Sequence, residues 1–511
     1  MSDWTSGYVA DIGYTYGCYN ELNPLRTRLV FLSAGLIPPV AGTACELGFG
    51  QGLSVNLHAA ASVCEWHGTD FNPSQAGFAQ ELAKVAGSQA HLFDEAFDEF
   101  CKRPELPSFD FIGLHGIWSW INDENRAVIV DFIRRKLKVG GVLYISYNTQ
   151  PGWAAMVPMR DLLTEHAEVM AAPGRGIVNR IDAALEFAEK LMATNPVFAR
   201  ANPQAPERLK KLKEQNRSYL AHEYFNRDWL PMSFARMAEW LAPTKLEYAG
   251  SAHYLDHIDS MNLSTEQQAL IKEIPDPMFQ QTVRDFCVNQ QFRRDYWVKG
   301  ARRLNAMEQT QALLAEKVIL VQPRSDVSLK VAGSLGEATM QASVYDPILD
   351  VLADHQPRTL GQIEEAVKGQ ASRAQVLQAM LVLTGSGAIM SVQPDADIQL
   401  ARATTERLNT HIMQKACSSS DIHYLASPVT GGGVPIGRFH QMFLLARQQK
   451  QTPPADWAAF TWNLLQQQGQ SIVKEGQALQ TPEENLQELI RQATEFAEKR
   501  LPLLKALQIA V

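Results

Sequence analysis

Cysteine is scarce in this chain, with six in 511 residues and none spaced as CxxC. That removes a disulfide framework and a thiolate zinc site from consideration and favours a reducing compartment. Positive charge of any excess is missing as well. Against 47 Lys and Arg stand 55 Asp and Glu, a formal charge of -8, so no overall field draws the chain to nucleic acid or anionic lipid. No apolar run is long enough to cross a bilayer, because the longest uncharged stretch, Leu29 to Cys45, is interrupted by Pro38, Pro39 and two glycines. The first twenty residues lack the basic and then apolar pattern of a leader, and the expectation is a cytoplasmic protein.

What is there is ordinary globular material, 46% apolar and 20% charged, enough for about two to four domains. From Arg26 short apolar segments alternate with helical ones: "TACEL", "LSVNLHAAAS", "CEWHGTDF", "PSQAGFAQELAKVAG", "AHLFD", "FDFIGLHG", "DENRAVIVDFIRRKLKVGG" and "VLYISYN". This alternation predicts an α/β, Rossmann-like, doubly wound sheet over 1–170, with its ligand at the carboxyl ends of the strands. Residues 171–243 read as a polar, helical insertion. The strand-like "KLEYAGSAHYL" and "QQFRRDYWVKG" within 244–304 then complete the sheet.

Short strands, three helices and a strand after a glycine turn give 305–400 a winged-helix-like α+β pattern. Its "AQVLQAMLVL" helix is too apolar and too poor in Lys and Arg to read a DNA groove. Residues 401–511 read as mainly helical. There Thr481, Pro482 and Glu484 form an N-terminal capping signal, and Pro502 marks an expected stop or kink.

The most informative stretch is Glu46-Leu-Gly48-Phe49-Gly50-Gln-Gly52. A dinucleotide loop needs its third glycine where Leu53 stands, and a phosphate loop needs Gly-Lys-Ser/Thr, so both fail on spacing. An acidic residue followed by alternate glycines fits S-adenosylmethionine, where backbone must approach a nucleoside while a carboxylate favours a cationic end. Asp70, 22 residues after Gly48, stands where an acid accepts ribose hydroxyls, with Phe71 beside it. Asp94 closes the third strand where it can accept from the adenine amino group. Glu95 is next to it, and Phe93 or Phe97 is placed to cover the ring. The bland alternative for Asp94 is a solvated acidic face shared with Glu95, Asp98 and Glu99.

The segments "YTYGCYNELNP", "ELGFGQG", "LHGIWSWI", "SYNTQPGW", "YLAHEYF", "QQFRRDYWVKG" and "LASPVTGGGV" together resemble class I methyltransferases that carry a methyltransferase regulatory domain, across most of the chain. Relatives of this architecture include rickettsial protein lysine methyltransferases. The resemblance implies S-adenosylmethionine as cofactor and a lysine-bearing protein as partner, with 171–243 regulatory or dimerising. Phe49 and Gln51 depart from many relatives without removing a glycine.

A lysine acceptor has a reference pKa near ~10.4, so holding it neutral at pH 7 costs about 4 to 5 kcal/mol. Candidates for lining that acceptor are His115, Trp118, Trp120, Tyr147 and Asn148, with His115 also near the cofactor and Tyr14 and Tyr16 as an N-terminal lid. No metal is expected: His253 and His257 have helical ligand spacing but no third ligand, and "TGGGVPIG" reads as a turn. A small-molecule or glycan acceptor, and a binding protein without turnover, remain the rival readings. Nucleic acid is disfavoured, because "LHGIWSW" stands where an N-P-P-Y/F type motif belongs. A homodimer through the insertion stays open.

Overall fold

The computed structural model describes residues 8, 12–170, 174 and 176–510. One sheet organises the first 300 residues: β1 (Thr43–Leu47), β2 (Glu65–Thr69), β3 (Ala90–Phe93), β4 (Phe109–Leu114), β5 (Leu137–Asn148), β6 (Leu246–Ser251) and β7 (Phe292–Lys299). Their spatial order is β3-β2-β1-β4-β5-β7-β6. The pairs from β3 to β5 are parallel, and β7 runs antiparallel to both β5 and β6. The fold is thus the mixed α/β, Rossmann-like sheet expected from the alternation, and "KLEYAGSAHYL" and "QQFRRDYWVKG" supply its last two strands.

The central strands are apolar on both faces because helices cover both. The helix Leu53–Ala61 is buried along its whole length, and it lies between the sheet and the C-terminal part of the chain. Helix Pro73–Ala86 opens with Pro73, is capped by the Asn72 side chain on the Ser74 amide, and stops at left-handed Gly87. Helix Asp123–Lys136 is capped by Asn122.

Between β5 and β6 the insertion has its own core, in which Trp153, Met156, Leu163, Ile181, Leu209 and Tyr224 pack together. The expected boundary at 170 falls between two helices, Val157–Val169 and Ile177–Ala193, that share this core. Helix Phe234–Leu241 leaves it for the sheet: Phe234 stacks on Trp297 of β7 at 5.6 Å.

After β7, helix Ala306–Ala315 leads to a three-stranded antiparallel sheet with Lys317–Leu320 between Arg358–Thr359 and Ile389–Ser391. Helices Ala342–Val351, Leu360–Ala366 and Arg373–Gly385 pack on it. Their apolar residues, Ile348, Leu349, Met380 and Leu383 among them, join Val30, Tyr144 and Tyr296 of the first unit in one core.

Helix Asp395–Ala416 runs across the expected boundary at 400. It leads to a hairpin, Tyr424–Ser427 with Gly432–Pro435, that lies on helix Leu53–Ala61. The glycines of "TGGGVPIG" serve this docking: a Cβ at Gly433 would stand 2.5 Å from Cys18 Sγ.

The capping box at Thr481 and Glu484 forms as read from the sequence. Pro502 does not stop its helix. A π turn at Phe496–Arg500 precedes it, and the chain stays helical through Ala506; such a turn relaxes the backbone where proline has no N–H to give. Among the described residues no helix is long and apolar enough to cross a membrane.

Candidate active site

β1 carries Glu46 to the carboxyl edge of the sheet, where it is only 3% exposed. The chain then turns through Gly48 at φ +71°, a conformation that costs a side-chain-bearing residue free energy. A Cβ there would come within 2.5 Å of Ile117 Cδ1 and fill the space beside the turn. Gly52, at φ +67°, meets a different demand: its Cβ would lie 2.3 Å from Ala79 Cβ, so it lets helices Leu53–Ala61 and Pro73–Ala86 close on each other. Gly50 donates its N–H to Asp70 Oδ2 at 2.8 Å, while Asn72 N–H holds Oδ1 at 3.0 Å. The loop and the end of β2 are thereby locked together.

Two adjoining cavities open over this edge, and both are lined by Tyr8, Gly48, Asp70, Ile117 and Trp120. The larger adds Phe71, Glu95, Phe97, Asn122 and Asn125. The smaller adds Tyr14, Tyr19, Glu46, Phe49, Gly50 and His115, and is closed by His222 and Glu223 from insertion helix Arg217–Tyr224.

The electrostatics of the smaller cavity are unusual. Glu46 Oε2 is buried without a hydrogen-bond partner, and burial, then the charge of Asp70, pushes its carboxyl up to about 8. Burial likewise lifts Asp70 to about 7, against the two amide bonds it accepts. His115 stacks on Tyr19 with ring centres 3.6 Å apart, and its Nδ1 lies 2.8 Å from the Tyr144 hydroxyl. Burial drops it to about 4, so it is an uncharged wall at neutral pH. Glu223 is raised to about 7 by burial.

Of the residues singled out in the sequence, Glu46, Gly48, Phe49, Gly50, Asp70, Phe71, Glu95 and His115 come together around these cavities. Gly52 packs behind them. Asp94 is exposed and lies outside the lining. The strand ends one residue too soon for it, and the next residues turn inward: Thr69 Oγ1 bonds to the carbonyl of Glu95, whose carboxylate is paired with Arg103. Asn122 and Asn125 occupy that end of the cavity instead. Phe97 lines it, whereas Phe93 lies under the Arg103 guanidinium, 4.2 Å away.

Four expected acceptor residues are placed elsewhere. Tyr147 alternates with Tyr144 and Ser146 along β5, so it faces the opposite side of the sheet, where its hydroxyl donates to Asp295 at 2.9 Å within a buried Arg293–Asp285–Asp295 network. Trp118 is fully buried, with its indole against Met232 Sδ. Asn148 ends β5 outside both linings: its backbone N–H donates to Ser119 Oγ, its backbone carbonyl accepts from Met232 N–H, and its side-chain Nδ2 is buried without a partner. Tyr16 turns away from the cavity to meet Phe78 edge-on at 5.2 Å, while Tyr14 stays in it.

Tyr8, Tyr19 and Glu223 escaped the sequence reading. The last two lie in quoted segments, "YTYGCYN" and "YLAHEYF", but nothing local marks a helix of the insertion as returning to the sheet edge. His257 Nε2 is bonded to the Ser251 carbonyl at 2.8 Å, so the His253–His257 spacing is not helical ligation. At the amino ends of β2 and β3, Glu65 Oε1 lies 3.0 Å from His67 Nε2 and 3.4 Å from His91 Nε2, well away from the cavities.

A sheet of order 3-2-1-4-5-7-6 with an antiparallel seventh strand, and an acid–glycine turn at its carboxyl edge, define the class I methyltransferase fold. Residues 216–299 match the family described as "Predicted methyltransferase regulatory domain". The Synechocystis protein sll1526 is 41% identical over 99% of this chain and all of its own length. RP028 of Rickettsia prowazekii is 28% identical over 31% of this chain and 64% of its own. The structure of PKMT2 from Rickettsia typhi in complex with AdoHcy superposes with a TM-score of 0.68 at 17% identity, covering 94% of this chain and 98% of that one. The chain belongs to the family of methyltransferase-fold proteins with a methyltransferase regulatory domain, and sll1526 is a full-length relative within it.

Proposed function

We propose that the protein is an S-adenosylmethionine-dependent methyltransferase whose acceptors are lysine side chains of a protein substrate. The observation that carries the donor assignment is Glu46, a buried carboxylate with one oxygen unpartnered beside a glycine turn. Such a group calls for a cation, because an isolated buried charge is costly. Glu46 would take the donor's amino group, and Asp70, oriented by the Gly50 and Asn72 amides, would accept from ribose hydroxyls. Phe71, Phe97 and Ile117 would enclose the adenine, with Asn122 and Asn125 available to its polar edge. The bound donor supplies a methyl group on a sulfonium.

What the chain contributes to transfer is alignment, exclusion of water and control of the acceptor's proton. Tyr8, Tyr14 and Tyr19 wall the smaller cavity with aromatic surface that tolerates an ammonium, and His115, neutral and held by Tyr144 and Tyr19, adds rigidity without competing charge. The resemblance to rickettsial protein lysine methyltransferases, and the full-length likeness in fold to PKMT2, support a lysine acceptor.

The test is incubation with methyl-labelled S-adenosylmethionine and a lysate of the source cells, with Asp70→Ala as control. Label at lysine on discrete proteins, lost in the control, is the expected result. Label confined to small molecules or glycans replaces the acceptor, and donor binding with no label at all points to a non-catalytic binding protein.

A further inference from the structure

We propose that Glu223 is the acceptor subsite's carboxylate: it binds the primary ammonium of the incoming side chain and accepts its proton. This rests on the methyl-transfer reading above. Glu223 does not belong to the sheet. It sits on helix Arg217–Tyr224 of the insertion, between buried His222 and Tyr224, yet lines the same cavity as Glu46, Gly50 and His115. Among the described residues no ion-pair or hydrogen-bond partner satisfies it. Its carboxylate is half-buried in the cavity wall beside Tyr8, Tyr14 and Tyr19, where an entering ammonium meets an opposite charge and aromatic faces together.

Of the three carboxylates in this cavity, Asp70 is taken by the ribose hydroxyls and Glu46 by the donor's amino group, which leaves Glu223 for the acceptor's cation. The N-terminal segment is fastened against the same helix: His222 Nε2 lies 3.2 Å from the Ile12 carbonyl, and the Tyr14 and His222 rings meet edge-on at 5.0 Å. The subsite thus exists only when insertion and N-terminal segment are both in place.

The acceptor R–NH3+ passes one proton to the Glu223 carboxylate, and its freed lone pair forms the N–C bond to the methyl carbon. The C–S bond breaks with its electron pair going to sulfur, which becomes the neutral thioether of S-adenosylhomocysteine. The product leaves as R–NH2–CH3+, and the Glu223 proton goes to solvent. Around Glu223, Tyr8, Tyr14, Tyr19, Tyr219 and Tyr224 keep their protons, because burial raises all five. His115 and His222 stay neutral, because burial lowers both. Glu46 and Asp70 are kept ionised by reading rates at saturating donor.

The experiment compares wild type, Glu223→Gln and Glu223→Asp in three readouts. Calorimetry with S-adenosylhomocysteine is expected to give the same affinity within about two-fold for all three, which shows that the variants fold. Binding of n-butylammonium to the S-adenosylhomocysteine complex, followed by saturation-transfer NMR, is expected in wild type and at least ten-fold weaker in Glu223→Gln. Single-turnover methylation of the labelled substrate is expected to fall about a hundred-fold or more in Glu223→Gln, with partial recovery in Glu223→Asp. The wild-type rate should level off above pH 7 to 8, while that of Glu223→Gln should keep climbing toward the lysine pKa. Equal butylammonium binding, or an unchanged rate and pH profile, overturns the proposal. Glu223-dependent butylammonium binding with no methylated lysine in wild type upholds the subsite and removes the lysine reading.

Discussion

Donor affinity should rise steeply with pH, and Glu46 sets the slope. Its carboxyl stands at about 8 in the free protein because it is buried and faces Asp70, so at pH 6 only about one molecule in a hundred has it ionised. A ligand whose cationic amino group needs the ionised form must displace that proton. Between pH 6 and pH 8 the ionised fraction climbs to about one half, and Kd should fall roughly fifty-fold, about 2.3 kcal/mol. Asp70, at about 7, acts in the same direction and adds up to roughly ten-fold more. Titration calorimetry with S-adenosylhomocysteine at pH 6, 7 and 8, in buffers of different ionisation heat, reads both the slope and the released proton. Glu46→Gln should bind more weakly at pH 8 and keep only the Asp70 part of the slope. A wild-type Kd flat over this interval, or a full slope surviving in Glu46→Gln, would refute the assignment. The same shifts carry a stability consequence. Both carboxyls have folded values above their ordinary ones, so their favourable contribution is complete below about pH 4 and is lost as pH rises toward 8. The free protein should soften on that rise, and the ligand-saturated protein should not.

Further outcomes are fixed by the packing. Gly52→Ala should cost about 2 to 4 kcal/mol in urea unfolding, from left-handed backbone and from overlap with Ala79, and Gly52→Ala with Ala79→Gly should recover the steric part. If instead ligand affinity collapses while stability holds, Gly52 is a donor contact. Tyr147→Phe should lose about 1 to 2 kcal/mol of stability by stripping Asp295 of a buried donor, while leaving the single-turnover rate within two-fold; a hundred-fold slower rate would return Tyr147 to the site. Gly433→Val, pressed against Cys18, should lower the melting temperature by several degrees and weaken S-adenosylhomocysteine binding together, and a variant with native affinity would show that the hairpin does not support the glycine turn.

The sheet and the cluster of residues at its carboxyl edge were legible because they rest on local signals: alternation of apolar segments, an acid before alternate glycines, and an acid at the end of the next strand. Glu46, Gly48, Gly50 and Asp70 meet because successive parallel strands end side by side. The readings that failed needed facts no local pattern holds. Tyr147 and Tyr144 differ only in parity along β5, and which face is the site depends on register with β7. Asp94 and Glu95 differ by where one strand ends. Glu223 belongs to a helix whose return over the sheet is decided by a core some seventy residues long, from Trp153 to Phe225, and the role of the "TGGGVPIG" glycines required knowing that the segment lies on Cys18.

That last contact reaches beyond the turn itself. Helix Leu53–Ala61 begins at the glycine loop, and its far side is covered by the C-terminal hairpin and helix: Thr405 Oγ1 and Gln393 Nε2 donate to the carbonyls of Ala60 and Ala61, and Asn23 Nδ2 donates to the Thr430 carbonyl. The glycine turn of the candidate site is therefore finished by residues synthesised almost four hundred positions later. A nascent polypeptide that has emerged only as far as β7 carries every strand of the sheet and still exposes the apolar back of that helix, so competence to bind should arrive late in translation, with the segment from Gln393 onward, and be lost early when that segment is clipped.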